Sequence, residues 1–223
     1  MDEKADVRSL LQGASRLNDM ALMLHRKRHY LLAHEILNSA MLCMQLILRP
    51  EQGQLWPTKR DISLRVEYAA EHVRLVQALN CQDRPLEDQL SRISIADPIP
   101  VEFEGIEQPH IDVNSAIIVF NYGLTYLGLA SLNHPSDRSI LYDAAVELFH
   151  LSYSILVKLS VETEHLDFCE YILALSMKML RQTICVNEII GRDAGPLKSL
   201  LQNAEESFFV LHQIGKSTIA AAA

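Results

Sequence analysis

The segment from Leu17 to Ala40 constrains the fold of this chain more than any other feature of its sequence. It reads LNDMALMLHRKRHYLLAHEILNSA, in which small and large apolar residues recur at helical spacing on both sides of a basic turn. Two amphipathic helices joined by a short turn bury their apolar faces by packing against each other. The pattern therefore predicts an antiparallel helical hairpin, with helices at about 5–26 and about 30–48.

Similar apolar patterns extend this prediction to the rest of the chain. The predicted elements are a hairpin at 5–48, an insert at 50–110, and further hairpins at 112–159 and 164–215. Hydrophobic residues make up 49% of the chain and charged residues 22%, a balance that is typical of a folded chain. The sequence therefore predicts one all-α domain over 1–223, built of stacked antiparallel hairpins. Gly215 is expected to end the last helix, and the tail after it is expected to fray.

The insert is the least regular part of the chain, because prolines are concentrated in it. Thr58 begins a capping-box pattern, which predicts a helix that ends near Asn80. Residues 62–68 also alternate between apolar and polar side chains, so a strand is the alternative there, although the helical pattern that follows favours the helix. The stretch 92–104 is predicted to be extended, either as a short strand pair or as a segment that lies along the helices.

The net charge of −8 bears on the class of partner and on the compartment. Nucleic acid is bound by clustered basic surfaces, and anionic lipid attracts basic segments. An acidic chain without an apolar run of about 20 residues is therefore expected to bind neither nucleic acid nor a membrane. The charged N-terminus lacks an apolar signal core, and the four cysteines form no close pair. These features predict a reducing compartment, the cytoplasm, with the nucleus as the alternative.

Residue spacing gives no catalytic, cofactor or metal motif. Cys169 and Cys185 lie on one predicted helix and are interpreted as buried, inert thiols, because no histidine and aspartate are arranged to activate either. Gly215 to Thr218 imitates the end of a phosphate-binding loop, but the position that needs the first glycine of that motif is Val210. His25 and His29 have a metal-like spacing, yet the three cations between them favour a solvated basic turn, with docking of an acidic peptide or phosphate as the alternative. The chain is therefore predicted not to be an enzyme and to hold no cofactor.

Small residues recur where paired helices would cross. In the first hairpin the pattern consists of Met20, Ala21, Leu24, Tyr30, Ala33, Leu37 and Ala40. In the second it consists of Asn121, Tyr122, Gly123, Tyr126, Ala145, Phe149 and Ser152. This pattern resembles the tetratricopeptide repeat (TPR), a helix–turn–helix unit of about 34 residues. The units are divergent and not in tandem, because the insert separates them.

The TPR resemblance implies a binding surface, since many TPR proteins hold a peptide in a concave groove lined by the first helix of each pair. The matching groove positions in the first hairpin are Ser15, Asn18, Leu22, His25 and Arg26, and Asn121 matches one further position. The predicted partner-binding residues among them are Ser15, Asn18, His25, Arg26 and Asn121. The implied function is a non-enzymatic adaptor or scaffold that binds a peptide or helix of a protein partner. The alternative is a structural subunit or a module that self-associates into a homo-oligomer, and an enzyme with dispersed catalytic residues is a remote alternative.

Overall fold

The apolar periodicity of the sequence produces seven α-helices in the part of the chain that the structure describes. The computed structural model describes residues 3–48, 59–79, 97–101, 107–162 and 166–222. The helices are α1 (Glu3–Arg26), α2 (Tyr30–Leu48), α3 (Lys59–Leu79), α4 (Gln108–Leu132), α5 (Pro135–Glu162), α6 (Leu166–Ile189) and α7 (Gly195–Ala222). None of the described residues belongs to a strand, so the predicted all-α class is confirmed.

The helix bounds decide two points of the sequence prediction. Residues 62–68 lie inside α3, so the helix prediction is confirmed there and the alternative strand is wrong. α7 continues through Gly215 to Ala222, so the predicted helix end at Gly215 is also wrong. A glycine inside a helix costs only about 1 kcal/mol relative to alanine, and the alanines that follow it favour the helix. The predicted cap at Thr58 lies outside the described residues.

Helices that follow each other in sequence pack against each other in the fold. α1 packs on α2, α4 packs on α5, and α6 packs on both α5 and α7. In addition, α2 packs on α4, and α3 packs on α1. Helices joined by short turns are usually antiparallel neighbours, which is why these local pairings form. α4 therefore packs on both helices of the first pair and on α5.

α4 is the helix around which both apolar cores form. Its side chains are buried on nearly all sides, as expected for a helix without a polar face. One core joins α4 to α5 and α6 around Phe120 and Phe149, whose ring centroids lie 5.1 Å apart. The other core joins α1, α2 and α3 to α4 at Ile111 and Ile118. Any segment that crosses the boundary between the two cores can therefore bury apolar side chains in both.

Close helix crossings occur at small side chains, as the sequence predicts. The predicted positions Ala21, Ala33 and Ala145 are fully buried. A Cβ atom added at Gly123 would lie 2.6 Å from the ring of Phe149, so α4 and α5 approach too closely there for any side chain. Gly128, which lies outside the predicted small-residue pattern, is equally confined, because an added Cβ would lie 2.2 Å from the ring of Tyr30.

Two helices end in the same hydrogen-bonded turn, the Schellman motif. After α1 and after α6, backbone N–H groups donate to carbonyls three and five positions earlier, at 2.8 to 3.2 Å. The motif needs one residue in the left-handed region, which is Gly191 after α6 (φ 74°) and Arg28 after α1 (φ 63°). A residue with a Cβ atom loses about 1 to 2 kcal/mol in that region, so the first turn carries a local strain that the second lacks.

Candidate functional site

A segment between α3 and α4 in the sequence, Asp97–Val101, lies along the helices, and we call it the strap. It is neither helix nor strand, so for these residues the second of the two predicted alternatives is correct; the rest of the 92–104 stretch is outside the described residues. Pro98 and Ile99 are buried. Ile99 joins the core of α4, α5 and α6, whereas Val101 packs against both cores. The strap therefore covers the boundary at which the two cores meet.

Two buried asparagines hold the backbone of Ile99. The side-chain oxygen of Asn121 accepts a hydrogen bond from the Ile99 N–H at 2.8 Å, and its Nδ2 donates to the Ile99 carbonyl oxygen at 2.6 Å. Asn18 donates from Nδ2 to the same carbonyl at 3.3 Å, and its side-chain oxygen accepts from Asn121 Nδ2 at 2.9 Å. Asn18 is 0% exposed and Asn121 is 1% exposed. The asparagine pair thus gives one extended residue the bonds that a neighbouring strand would otherwise supply.

The carboxylate of Asp97, at the start of the strap, acts electrostatically on basic side chains of two helices. Burial lowers the pKa of His25 on α1, and the carbonyl of Leu124 and the carboxylate of Asp97 oppose that shift. Burial also lowers the pKa of Lys178 on α6, and Asp97 again opposes it. Nε2 of His25 lies 3.4 Å from the Leu124 carbonyl oxygen, which can only accept, so Nε2 carries the proton. Asp97 therefore lies in the electrostatic reach of basic side chains from two helices.

The structure brings three of the five predicted partner-binding residues together. Asn18, His25 and Asn121 form, with Lys178 and the strap, what we call the strap site. The other two predicted residues are Ser15, which is half-buried, and Arg26, which is exposed. None of the hydrogen bonds to the strap comes from them. The asparagine bonds are made to this chain's own backbone, and binding of a separate partner there stays a prediction.

His25 does not belong to a solvated basic turn, and for this residue that interpretation is wrong. It is only 7% exposed, and its ring centroid lies 5.0 Å from that of Tyr30. The reason is that α4 packs over the end of α1, which brings the Leu124 carbonyl to the ring. The rest of the turn borders an open cleft of about 330 Å³ lined in part by Arg28 and His29. Docking of an acidic peptide or phosphate there stays a prediction.

Two members of the strap site are absent from the predicted set. Ile99 stands between two prolines in the irregular insert, and Lys178 is a cation in an otherwise apolar part of α6. The sequence carries a weak signal for each: an aliphatic residue fixed between prolines is extended, and a cation in an apolar helix favours an acidic neighbour. Neither signal says that these residues meet Asn18 and Asn121, because the contacts join distant parts of the chain.

The described residues offer little for other chemistry. No group of three or more His, Cys, Asp or Glu among them could hold a metal ion. Burial raises the pKa of the Cys43 thiol to about 11 and also raises that of Cys185, with Glu188 adding to the shift at Cys185. A thiol with a raised pKa holds little thiolate at neutral pH and is a weak nucleophile. These two cysteines therefore resemble packing residues more than reactive ones.

Three helices are long and apolar enough to cross a membrane, judged by length and composition alone. They are α2, α4 and the part of α5 from Asp137 to Glu162. In the fold, 72% of the α4 window is buried against the rest of the chain, compared with 33% for each of the other two. Burial explains the apolar character of α4 without a membrane, and the predicted absence of a membrane partner remains a prediction.

Comparison of the chain with models of protein families, with curated proteins and with solved structures gives no match. The fold and the strap site themselves define an all-α protein in which buried side-chain amides hold an extended segment between helices. The TPR resemblance rests on the sequence pattern and remains a prediction.

Proposed function

We propose that the protein is a non-enzymatic protein–protein interaction module, an adaptor or scaffold, whose helical groove holds an extended peptide. The observation that carries the proposal is the hydrogen bonding of both backbone groups of Ile99 by Asn18 and Asn121. Recognition of backbone groups by side-chain amides suits a peptide ligand, because every residue except proline offers the same N–H and C=O pair. The strap occupies the groove in the way that we propose for a bound peptide.

A stacked TPR-like arrangement belongs to the same proposal. The strap site draws its side chains from α1, α4 and α6, which are the first helices of the three predicted hairpins. In the TPR resemblance, first helices line the peptide-binding surface. Packing of α1 on α2, of α4 on α5 and of α6 on α7 supports the same arrangement. The net charge of −8 supports a protein partner over nucleic acid, and the cytoplasm or nucleus over a membrane.

Selection of peptides on the purified full-length chain tests the proposed function. Random peptides displayed on phage are enriched on the immobilised protein, synthesised, and mapped by hydrogen–deuterium exchange. We expect bound peptides to slow exchange in the parts of α1, α4 and α6 that flank the strap, and to leave α7 unchanged. Absence of enrichment, or protection confined to α3 and α7, would contradict the proposal.

Two cations on α6 supply a matched pair of variants for this experiment. Lys178 is half-buried at the strap site, whereas Arg181 is exposed and pairs with Glu205 of α7 at 2.7 Å. We expect Lys178→Ala to weaken the binding of acidic peptides several-fold and Arg181→Ala to leave it unchanged, because only Lys178 is subject to the charge of Asp97 in the strap. Equal effects of the two substitutions would place the peptide elsewhere on the protein.

A structural role, as a subunit or a self-associating module, is the second candidate, and α7 favours it. No side chain described in residues 195–214 is buried, and α7 is fastened to α6 partly by exposed ion pairs. Among the α7 side chains that the structure describes, the exposed large apolar ones are Leu200, Phe209, Val210 and Ile214. Exposed apolar groups gathered on one helix are typical of surfaces that another protein covers.

Light scattering coupled to size exclusion tests the self-associating form of this second candidate. A homo-oligomer that Phe209→Glu converts to a monomer would support it, because a charge at the centre of an apolar interface is costly. A monomer at micromolar concentrations would refute it. Neither result depends on occupation of the strap site.

A further inference from the structure

We infer that the strap is a displaceable occupant of the groove, and that the groove accepts from a partner protein an extended peptide with the pattern Pro-aliphatic-Pro-aliphatic. This inference rests on the proposed function and specifies its ligand. The sequence of the strap, Asp97-Pro98-Ile99-Pro100-Val101, is the template for the ligand chemistry.

Side chains of the helices hold the strap through the backbone of one residue. All described hydrogen bonds of the strap join the N–H or the carbonyl of Ile99 to the side chain of Asn18 or Asn121, with Ile99 as donor in one of them and acceptor in the others. The strap takes no part in the backbone ladders of a helix or a sheet. A different extended chain with a non-proline residue at that position would make the same hydrogen bonds, because the asparagines bind only the backbone N–H and carbonyl of that residue.

Packing at the strap site specifies the aliphatic positions of the ligand. Ile99 is 6% exposed and belongs to the same buried cluster as Phe120 of α4 and Met179 of α6. Val101 is half-buried and touches the edge of both cores. Aliphatic side chains of this size fill the space without a cavity, whereas a polar side chain at the Ile99 position would lose its water without gaining a partner.

The prolines of the strap specify the backbone of the ligand. They flank Ile99, the residue whose N–H and carbonyl the asparagines bind. The prolines at 98 and 100 restrict the chain to the extended backbone that the site requires, so a peptide with the same prolines loses less entropy on binding.

Competition within the chain follows from this assignment. Because the strap is covalently attached to the helices that bind it, an external peptide competes with a ligand at high effective concentration. The intact protein therefore binds such a peptide less tightly than a variant whose strap no longer fits, although still tightly enough for selection. Exchange of one extended segment for another would couple partner binding to release of residues 97–101.

Binding of a fluorescent peptide to the full-length chain tests the exchange. The probe spans residues 95–103, IADPIPVEF, and binding is followed by fluorescence anisotropy. The variant Ile99→Asp disables the strap, and Ile99→Val, which keeps an aliphatic side chain, is the matched control. We expect Ile99→Asp to bind the probe at least about tenfold more tightly than the wild type and Ile99→Val to resemble the wild type. A probe with aspartate in place of the central isoleucine should bind neither protein.

The result that overturns the inference is an Ile99→Asp protein with wild-type helix content, by circular dichroism, that gains no affinity for the probe. Peptides from the phage selection that still protect α1, α4 and α6 would then preserve the proposed function, so the two failures are distinguishable.

Hydrogen exchange in the wild-type protein keeps the inference testable if Ile99→Asp does not fold. The amide of Ile99 donates to Asn121, and the amides of α4 around Phe120 lie in the fully buried helix. If the strap opens while the helices stay folded, the Ile99 amide should exchange at least about tenfold faster than the slowest α4 amides. Equal rates would mean that the strap opens only when the whole domain unfolds, and would refute the exchange.

Discussion

Substitution of Asn121 by alanine should destabilise the protein far more than loss of one ordinary hydrogen bond. The substitution removes both bonds from Asn121 to Ile99 and the bond from Asn121 to Asn18. The Ile99 N–H and the Asn18 side-chain oxygen then lose those bonds in a buried site, whereas the Ile99 carbonyl keeps its bond from Asn18. Each buried group left without a partner costs about 1 to 3 kcal/mol, so the expected loss is about 2 to 6 kcal/mol.

Urea unfolding followed by circular dichroism measures this loss as a shift of the midpoint. The matched control is Asn187→Ala on α6, where a buried asparagine donates to the Thr183 carbonyl of its own helix at 3.0 Å. That carbonyl still accepts its helical bond, so the control should cost only about 1 kcal/mol. For a domain of this size, each kcal/mol corresponds to about 2 to 4 °C in Tm, which makes the difference easy to resolve.

A double-mutant cycle shows whether the two asparagines act as one unit. Asn18→Ala combined with Asn121→Ala should cost less than the sum of the single substitutions, because each removes bonds that the other also serves. The coupling should lie at about 0.5 to 3 kcal/mol. If Asn121→Ala costs no more than Asn187→Ala, or if the two asparagine effects simply add, the account of the strap site given above is wrong.

Three further outcomes are expected. Arg28→Gly should raise the free energy of unfolding in urea by about 1 kcal/mol, and Gly191→Ala should lower it by about as much, because both positions are left-handed. Gly128→Ala should lower Tm in calorimetry by several degrees, since its Cβ would overlap the Tyr30 ring. Burial lowers the pKa of His25 and His34 in the folded state, so the unfolded state takes up protons first on acidification. The urea concentration at the unfolding midpoint should therefore decrease as the pH is lowered from about 7.5 to about 5.5. An increase over this range would contradict the expectation.

Much of the helical framework follows from sequence patterns because it depends on neighbours in the chain. The helix predicted at about 30–48 matches the bounds of α2, and the turn before it is marked by its basic residues. The extension of α7 beyond Gly215 escaped the prediction for a local reason, because the cost of one glycine is smaller than the gain from the helix formers around it. Helix propensity is therefore a weak predictor of where a helix such as α7 ends.

The strap site was only partly predictable, because its contacts join parts of the chain that are far apart in sequence. Asn18 and Asn121 were identified through their positions on the first helices of two predicted hairpins, and the structure does bring them together. Burial of His25 was not predictable from its basic neighbours, since it depends on how α4 packs across the end of α1. The position of Lys178 likewise depends on the packing of α6, for which no local pattern exists.

The two buried asparagines limit what the groove can contain. A polar pair between two apolar cores must be either hydrated or bonded, and water that reached it would also reach the surface that Ile99 now covers. An extended backbone satisfies the amides and excludes that water at once, which neither a helix nor an empty groove would do. Stability and peptide binding are therefore linked at this site: a substitution that weakens the strap without damaging the groove must lower the stability of the free protein and raise its affinity for an external peptide. A strap variant that lost stability and gained no affinity would show that the segment is part of the core and leaves the groove only on unfolding.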